Sequence, residues 1–186
     1  EPLAGVAPLE ELDREVLDDG EIPFSVGEAI ESAVAKGAAG AELFVNDRLG
    51  IAVELGTHLH IGQSDGDPAV VREALGPDRL LGVSVSSRAE LDAIAAIGCA
   101  DVVGLSPVWS TSTKTDTAPA LGLEGVRELL AARPAGLPAV AIGGINATNA
   151  AEVIATGVDG ICVVSAIAAA TRPREAAARL KELWEK

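Results

Sequence analysis

From about residue 43 onward, short apolar runs alternate with longer stretches in which apolar residues recur every three or four positions. The runs LFVN (43–46), HLHI (58–61), LLGVS (80–84), VVGLS (102–106), AVAIG (139–143) and ICVVS (161–165) have the length and β-branched content of buried strands. Between them, PAVVREAL, SRAELDAIAAIG, GLEGVRELLAARP, NATNAAEVIATG and finally PREAAARLKELWEK carry a helical period. Ser87 and Asn146 stand where N-caps are expected, and Gly98 and Gly157 where helices stop. Strand–helix alternation with short connections predicts right-handed βαβ units and a parallel sheet. In such folds the chemistry collects at the C-terminal ends of the strands.

The residues that follow each run fit that rule. They are Asn46-Asp47-Arg48, Gly62-Gln63-Ser64-Asp65, Ser84, Pro107 to Lys114, Gly143-Gly144 and Ser165, which are polar, small or charged almost throughout. The turns at the opposite ends, such as GPDR and PAGLP, show no such convergence. The first 42 residues read differently. Leu9, Leu12, Val16 and Leu17 suit one amphipathic helix, and Ser25 with Glu28 forms a capping box for a second that runs to about Gly37. Between them EIPFSV is a weak strand, because Pro23 removes a ladder donor. Six strands are visible where eight would close a barrel.

Composition narrows the picture. At 186 residues one domain is expected, and a 48% hydrophobic content with only 2% aromatics means that Ala, Val, Leu and Ile supply the core. Fourteen basic against 28 acidic side chains give a net charge of −14 with no basic run, which argues against nucleic acid as a partner. Anionic ligands must then be caught locally. No apolar stretch reaches the roughly 20 residues that span a bilayer, and EPLAGVAPLEEL is too acidic for a signal peptide, so a cytoplasmic location is expected. Cys99 and Cys162 lie apart in apolar contexts and read as reduced core residues.

Three groups carry candidate chemistry. Asp47 and Asp65 each follow a strand; singly each reads first as a cap or loop anchor, and together, with Asn46 and Gln63 beside them, they suit a hydrated Mg²⁺ ion. In the loop PVWSTSTKTDT, Thr111, Ser112 and Thr113 precede Lys114, so backbone N–H groups, hydroxyls and one cation could grip an anion; the alternative is a polar surface loop. The glycines of a Walker motif are absent. Gly143-Gly144, followed after the next helix by Val164-Ser165, matches the phosphate site that barrels build from the last two strand ends, and the alternative is a tight turn. His58 and His60, the only histidines, alternate along one strand and share a face; with no third ligand nearby, structural or hydrogen-bonding roles are favoured. Asn146-Ala147-Thr148 matches a glycosylation acceptor but fits a helix N-cap better.

The ordered series LFVNDRLGIA, HLHIGQSD, LLGVS, GLSPVWSTSTK, ALGLEG, VAIGGINATNAAEV and DGICVVSAI, over residues 41–186, resembles the thiamine-phosphate synthase family. The resemblance implies an α/β fold, a TIM (β/α)8 barrel formed by a single domain over 1–186. Residues 43–186 would supply strands 3–8, with strands 1 and 2 not identifiable in an atypical or incomplete 1–42. It implies a transferase of thiamine biosynthesis that joins a hydroxymethylpyrimidine pyrophosphate to a thiazole phosphate and releases pyrophosphate. By position, Asp47 and Asp65 correspond to the Mg²⁺ ligands, and Asn46, Ser84 and Lys114 to the contacts with the pyrimidine pyrophosphate, Lys114 and Ser84 being the catalytic pair. Thr111, Ser112, Thr113, Gly144, Val164 and Ser165 correspond to the thiazole phosphate site. The partners implied are small phosphorylated molecules, with a homo-oligomer left open.

Two positions depart from the family pattern. The Q-x-R-x-K segment that grips the pyrophosphate does not occur in residues 1–42, and Ser84-Val85-Ser86-Ser87 lacks the histidine that related thiazole tautomerases carry. The opening quarter, which contains no Met, is therefore expected to be joined pieces of a longer chain, ahead of a shortened chain or a genuine six-stranded relative, because missing strands expose sheet edges. A non-catalytic phosphate-binding barrel and a tautomerase-like relative are the competing functions.

Overall fold

In the computed structural model, residues 42–110 and 118–185 are described. They form a single parallel sheet of six strands in sequential order: β1 (Phe44–Asn46), β2 (His58–Ile61), β3 (Leu81–Val85), β4 (Val102–Leu105), β5 (Ala139–Ile142) and β6 (Gly160–Cys162). The connecting helices are α1 (Leu49–Leu55), α2 (Pro68–Leu75), α3 (Arg88–Ile97), α4 (Gly122–Ala132) and α5 (Ala150–Ile154), with α6 (Ser165–Ala168) and α7 (Pro173–Trp184) after the last strand. All six expected strands are present, with ends within two or three residues of the apolar runs.

The alternation of side chains makes one face of this sheet dry. Leu59 and Ile61 on β2, Leu81, Val83 and Val85 on β3, Val103 and Leu105 on β4, and Ala139 and Ala141 on β5 are all buried. Leu75, Leu91, Val126 and Val153 from the helices are buried in the same core. Each such Leu or Val contributes about 1.5–3 kcal/mol through burial, so this layer carries the fold. The register pairs Asn46 with His60, His60 with Gly82, Ser84 with Gly104 and Ile142 with Cys162. Of these, Asn46, His60, Ser84, Ile142 and Cys162 alternate with the buried set and so line the opposite, concave face, which is partly exposed and mixes polar with apolar side chains.

The expectation of a closed eight-stranded barrel is corrected to a coarser architecture. Among the described residues the sheet is a curled, parallel six-stranded half-barrel, in which β1 and β6 each pair on one side only. The helices and the weak strand expected before residue 42 lie outside the described residues.

Helix boundaries follow local chemistry. Asp67 caps α2 by accepting from the N–H groups of Ala69 (2.8 Å) and Val70 (3.4 Å), with Pro68 in the first turn. Ser87 caps α3 as its sequence position predicts, and Gly98 closes that helix. The expected cap at Asn146 is displaced. Its side chain accepts from the Thr148 N–H and hydroxyl, a tight local turn, and α5 begins four residues later at Ala150. Helix α1 was not foreseen, since its seven residues follow Arg48, which offers no side-chain cap.

Candidate active site

The loop after β1 places Asp47 beside the end of β2, where its N–H donates to the His60 carbonyl at 2.8 Å. Asp47 is the single described non-glycine residue with positive φ, at 62°. Such a conformation costs on the order of 1–3 kcal/mol and persists only where the surroundings enforce it. Asn46 ends β1 and is exposed. In the next loop the Gly62 N–H donates to Asp65 Oδ2 at 2.7 Å, so Asp65 is anchored as well as acidic. The two aspartates thus sit on neighbouring loops of paired strands, as the sequence predicts.

Ser84 lies on the concave face near the end of β3. Its hydroxyl is 2.9 Å from His60 Nε2, and its carbonyl accepts from the Gln63 side-chain amide at 2.6 Å. Past it, the Ser86 hydroxyl and N–H are both bonded to the Glu90 carboxylate, and Ser87 caps α3. In the stretch that lacks a tautomerase-type histidine, Ser86 and Ser87 are thus committed to starting a helix.

The loop after β4 leaves through a cis Ser106–Pro107 bond. Its two ends are tied together, with the Leu121 N–H donating to Pro107 O at 2.8 Å and the Gly122 N–H to Val108 O at 2.9 Å. Residues 107–108 and 121–122 are therefore held side by side at the C-terminal edge of the sheet. Thr111, Ser112, Thr113 and Lys114 fall outside the described residues.

The same loop lies along the one after β5. Val108 N–H donates to Ile142 O at 2.9 Å and Trp109 N–H to Gly143 O at 3.2 Å. Gly143 and Gly144 have φ of 106° and 66°, and an added Cβ would stand 2.8 Å from Pro107 Cα and 2.9 Å from Trp109 Cβ respectively. Close backbone approach therefore accounts for both glycines, independently of any phosphate. The Gly144 carbonyl is held by the Asn149 side-chain amide at 3.0 Å. Val164 is exposed at the end of the sixth strand region, and Ser165 opens α6.

The remaining chemistry-bearing side chains have structural partners. His58 Nδ1 accepts from the Leu80 N–H at 3.0 Å while Nε2–H donates to Glu42 at 2.9 Å, so this ring links strand ends, in keeping with its expected role. Cys99 and Cys162 are free thiols, and burial pushes both up in pKa, so neither is poised as a nucleophile. Sequence reasoning missed the contact of His60 with Ser84 and the clamp by Gln63. The available signal was the H-x-H alternation facing glycines on the next two strands.

A divalent cation can be tested against these donors. Among the described residues no group of three or more His, Cys, Asp or Glu side chains could hold a metal ion. Two carboxylates on adjacent loops are a poor cage for Ca²⁺ or Zn²⁺ and a fitting one for Mg²⁺, which keeps several waters and takes one or two carboxylates plus substrate phosphates.

Comparison with known proteins gives a consistent result. The family model described as thiamine monophosphate synthase matches residues 21–167, and so reaches into the stretch before residue 41. A thiamine-phosphate synthase of Moorella thermoacetica is 41% identical over 182 residues, 97% of this chain and 84% of that protein. A thiamine biosynthesis multifunctional protein ThiED of Corynebacterium glutamicum is 48% identical over 155 residues; the match covers 80% of this chain and only 20% of the relative. Among solved structures, thiamine phosphate pyrophosphorylase from Pyrococcus furiosus superposes with a TM-score of 0.77 at 32% identity, covering 97% of this chain and 79% of that one.

Proposed function

The chain belongs to the thiamine monophosphate synthase family, whose members are transferases, and from that membership we propose that it joins a hydroxymethylpyrimidine pyrophosphate to a thiazole phosphate. The observation that carries this reading is the placement of Asn46, Asp47, Asp65, Ser84, Gly144 and Ser165 at or just past the C-terminal ends of five of the six described strands. The reading also takes the six-stranded half-barrel as part of a closed eight-stranded one in a single domain.

In the reaction, the bond between the pyrimidine methylene carbon and the pyrophosphate oxygen breaks, and both electrons leave with the oxygen. The thiazole nitrogen lone pair then forms the new C–N bond. No protein nucleophile is needed, in keeping with two protonated thiols. Asp47 and Asp65 would hold Mg²⁺, which supplies neutralisation of the charge that develops on pyrophosphate. Asn46 and the Ser84 hydroxyl orient the pyrophosphate, and the Lys114 cation stabilises its departure. Thr111, Ser112, Thr113, Gly144, Val164 and Ser165 hold the thiazole phosphate, so that its nitrogen is already in place when the pyrimidine carbon becomes electrophilic. The site is thereby one for small phosphorylated molecules, and the expected location is the cytoplasm.

The test is turnover with both substrates and Mg²⁺. Pyrophosphate and thiamine phosphate should appear together, only when both substrates are present, and stop when the metal is chelated. Binding of both phosphates without product would instead support a non-catalytic barrel.

A further inference from the structure

Ser84 is held at two atoms, its carbonyl by the amide of Gln63 in the loop after β2 at 2.6 Å and its hydroxyl by the His60 ring of β2, Nε2 to Oγ 2.9 Å. The ring lies across the next two strands, over Gly82 and Gly104. A Cβ added at Gly82 would stand 2.4 Å from His60 Nδ1, and one at Gly104 would stand 3.2 Å from Cε1 and 3.7 Å from Ser84 Oγ. Neither glycine has the left-handed backbone that would otherwise call for it. Both are explained by the ring: a side chain at residue 82 would expel it, and one at residue 104 would press on its Cε1 edge. Two glycines in mid-strand weaken a sheet, so the bare surface is informative.

We propose that His60 is a positioning residue for the reaction, in which its Nε2–H donates to Ser84 Oγ and leaves the hydroxyl proton directed at the pyrophosphate of the pyrimidine substrate. A hydroxyl has one proton and two acceptor lone pairs. With one lone pair occupied by the imidazole N–H, the proton is the group left to offer an anion. With the opposite tautomer the hydroxyl would spend its proton on the ring and present lone pairs to the phosphate, which is repulsive. This inference rests on Ser84 being a contact to that substrate.

The test compares His60→Ala, His60→Gln, Gly82→Ala and Ser84→Ala in steady-state kinetics, with thermal melts as a folding control. His60→Ala should lower kcat/KM for the pyrimidine pyrophosphate about tenfold, the effect of one well-aligned hydrogen bond, and leave KM for the thiazole phosphate unchanged. His60→Gln, which keeps a donor at similar reach, should recover most of that loss. Gly82→Ala should reproduce it with the imidazole still present. In a Ser84→Ala background, His60→Ala should add nothing. An undiminished tenfold loss in that background, or no recovery with Gln at equal melting temperature, overturns the inference. If Ser84→Ala alone leaves turnover intact, the assignment of Ser84 to substrate fails, and the inference with it. A readout independent of turnover is available because the chain has two histidines. Imidazole ¹⁵N spectra, assigned with His58→Gln, should give the Nε2–H tautomer at His60, and an Nδ1–H tautomer contradicts the inference.

Discussion

Lys114 and Ser165 are assigned to different substrates, and charge decides what their substitution does. Lys114 is the cation given to the departing pyrophosphate, so Lys114→Ala should lower kcat by about 10²–10³-fold, the usual effect of losing one preorganised stabilising group. Single-turnover rates with both substrates saturating measure this directly, and an unchanged rate removes Lys114 from the chemistry. Ser165→Asp places a carboxylate where the thiazole phosphate is proposed to bind. Like-charge repulsion should raise KM for that substrate about tenfold or more while KM for the pyrimidine substrate stays constant. Equal values before and after substitution would move the thiazole phosphate elsewhere. At this scale the placement of Asp47, Asp65 and Ser84 was legible, because each lies within a few residues of the end of an apolar run. His60 was not, because the sequence reveals that two histidines share a face but not that the glycines opposite one of them are cut to its shape.

Strand ends opposite the proposed site are fastened by a repeated device. Asp101, entering β4, accepts from the Leu81 N–H at 2.7 Å and pairs with Arg72. Asp159, entering β6, accepts from the Ala139 N–H at 2.8 Å and pairs with Arg133. Each carboxylate ties the start of one strand to the start of its neighbour, on the face where barrels keep their stability residues. The Arg133 hydrogen bond, followed by the Ala139 N–H, holds the Asp159 carboxyl below its usual pKa. A folded-state pKa below the unfolded one means that the stabilisation is present above the unfolded carboxylate range and is lost as pH falls through the folded value. Asp159→Asn should therefore cost on the order of 1 kcal/mol at pH 7, modest because the pair is partly solvated, and should flatten the loss of melting temperature on acidification below about pH 4. Thermal melts of both proteins from pH 7 to pH 3 check this; parallel curves would deny the clamp its role. The device is invisible in sequence, where Asp101 and Asp159 are merely acids before a strand. Helix α1 was missed for a related reason: seven residues with no side-chain cap look like loop until packing holds them.

The whole sheet was legible from residue 43 onward because buried parallel strands leave unbroken apolar runs, and six such runs became six strands in sequential order. Its closure was not. Pro23 interrupts EIPFSV, the stretch most like a strand before residue 42, and the described residues leave β1 and β6 as edges. The net charge of −14 looks unfavourable for two phosphorylated substrates. The proposed site answers it with local groups: Mg²⁺ on two carboxylates, backbone N–H groups, hydroxyls and one lysine. Bulk charge falls off within about 10 Å at 0.1 M salt, so these near donors decide binding. The central claim is that the pyrophosphate chemistry sits at the C-terminal mouth between the loops after β1 and β2. Anomalous diffraction from crystals soaked with Mn²⁺ and pyrophosphate tests it most directly, since Mn²⁺ accepts the oxygen ligands of Mg²⁺. The account predicts one strong peak bridging the Asp47 and Asp65 carboxylates with pyrophosphate beside it, lost in Asp47→Asn; a peak elsewhere, or pyrophosphate bound away from these two loops, would contradict it.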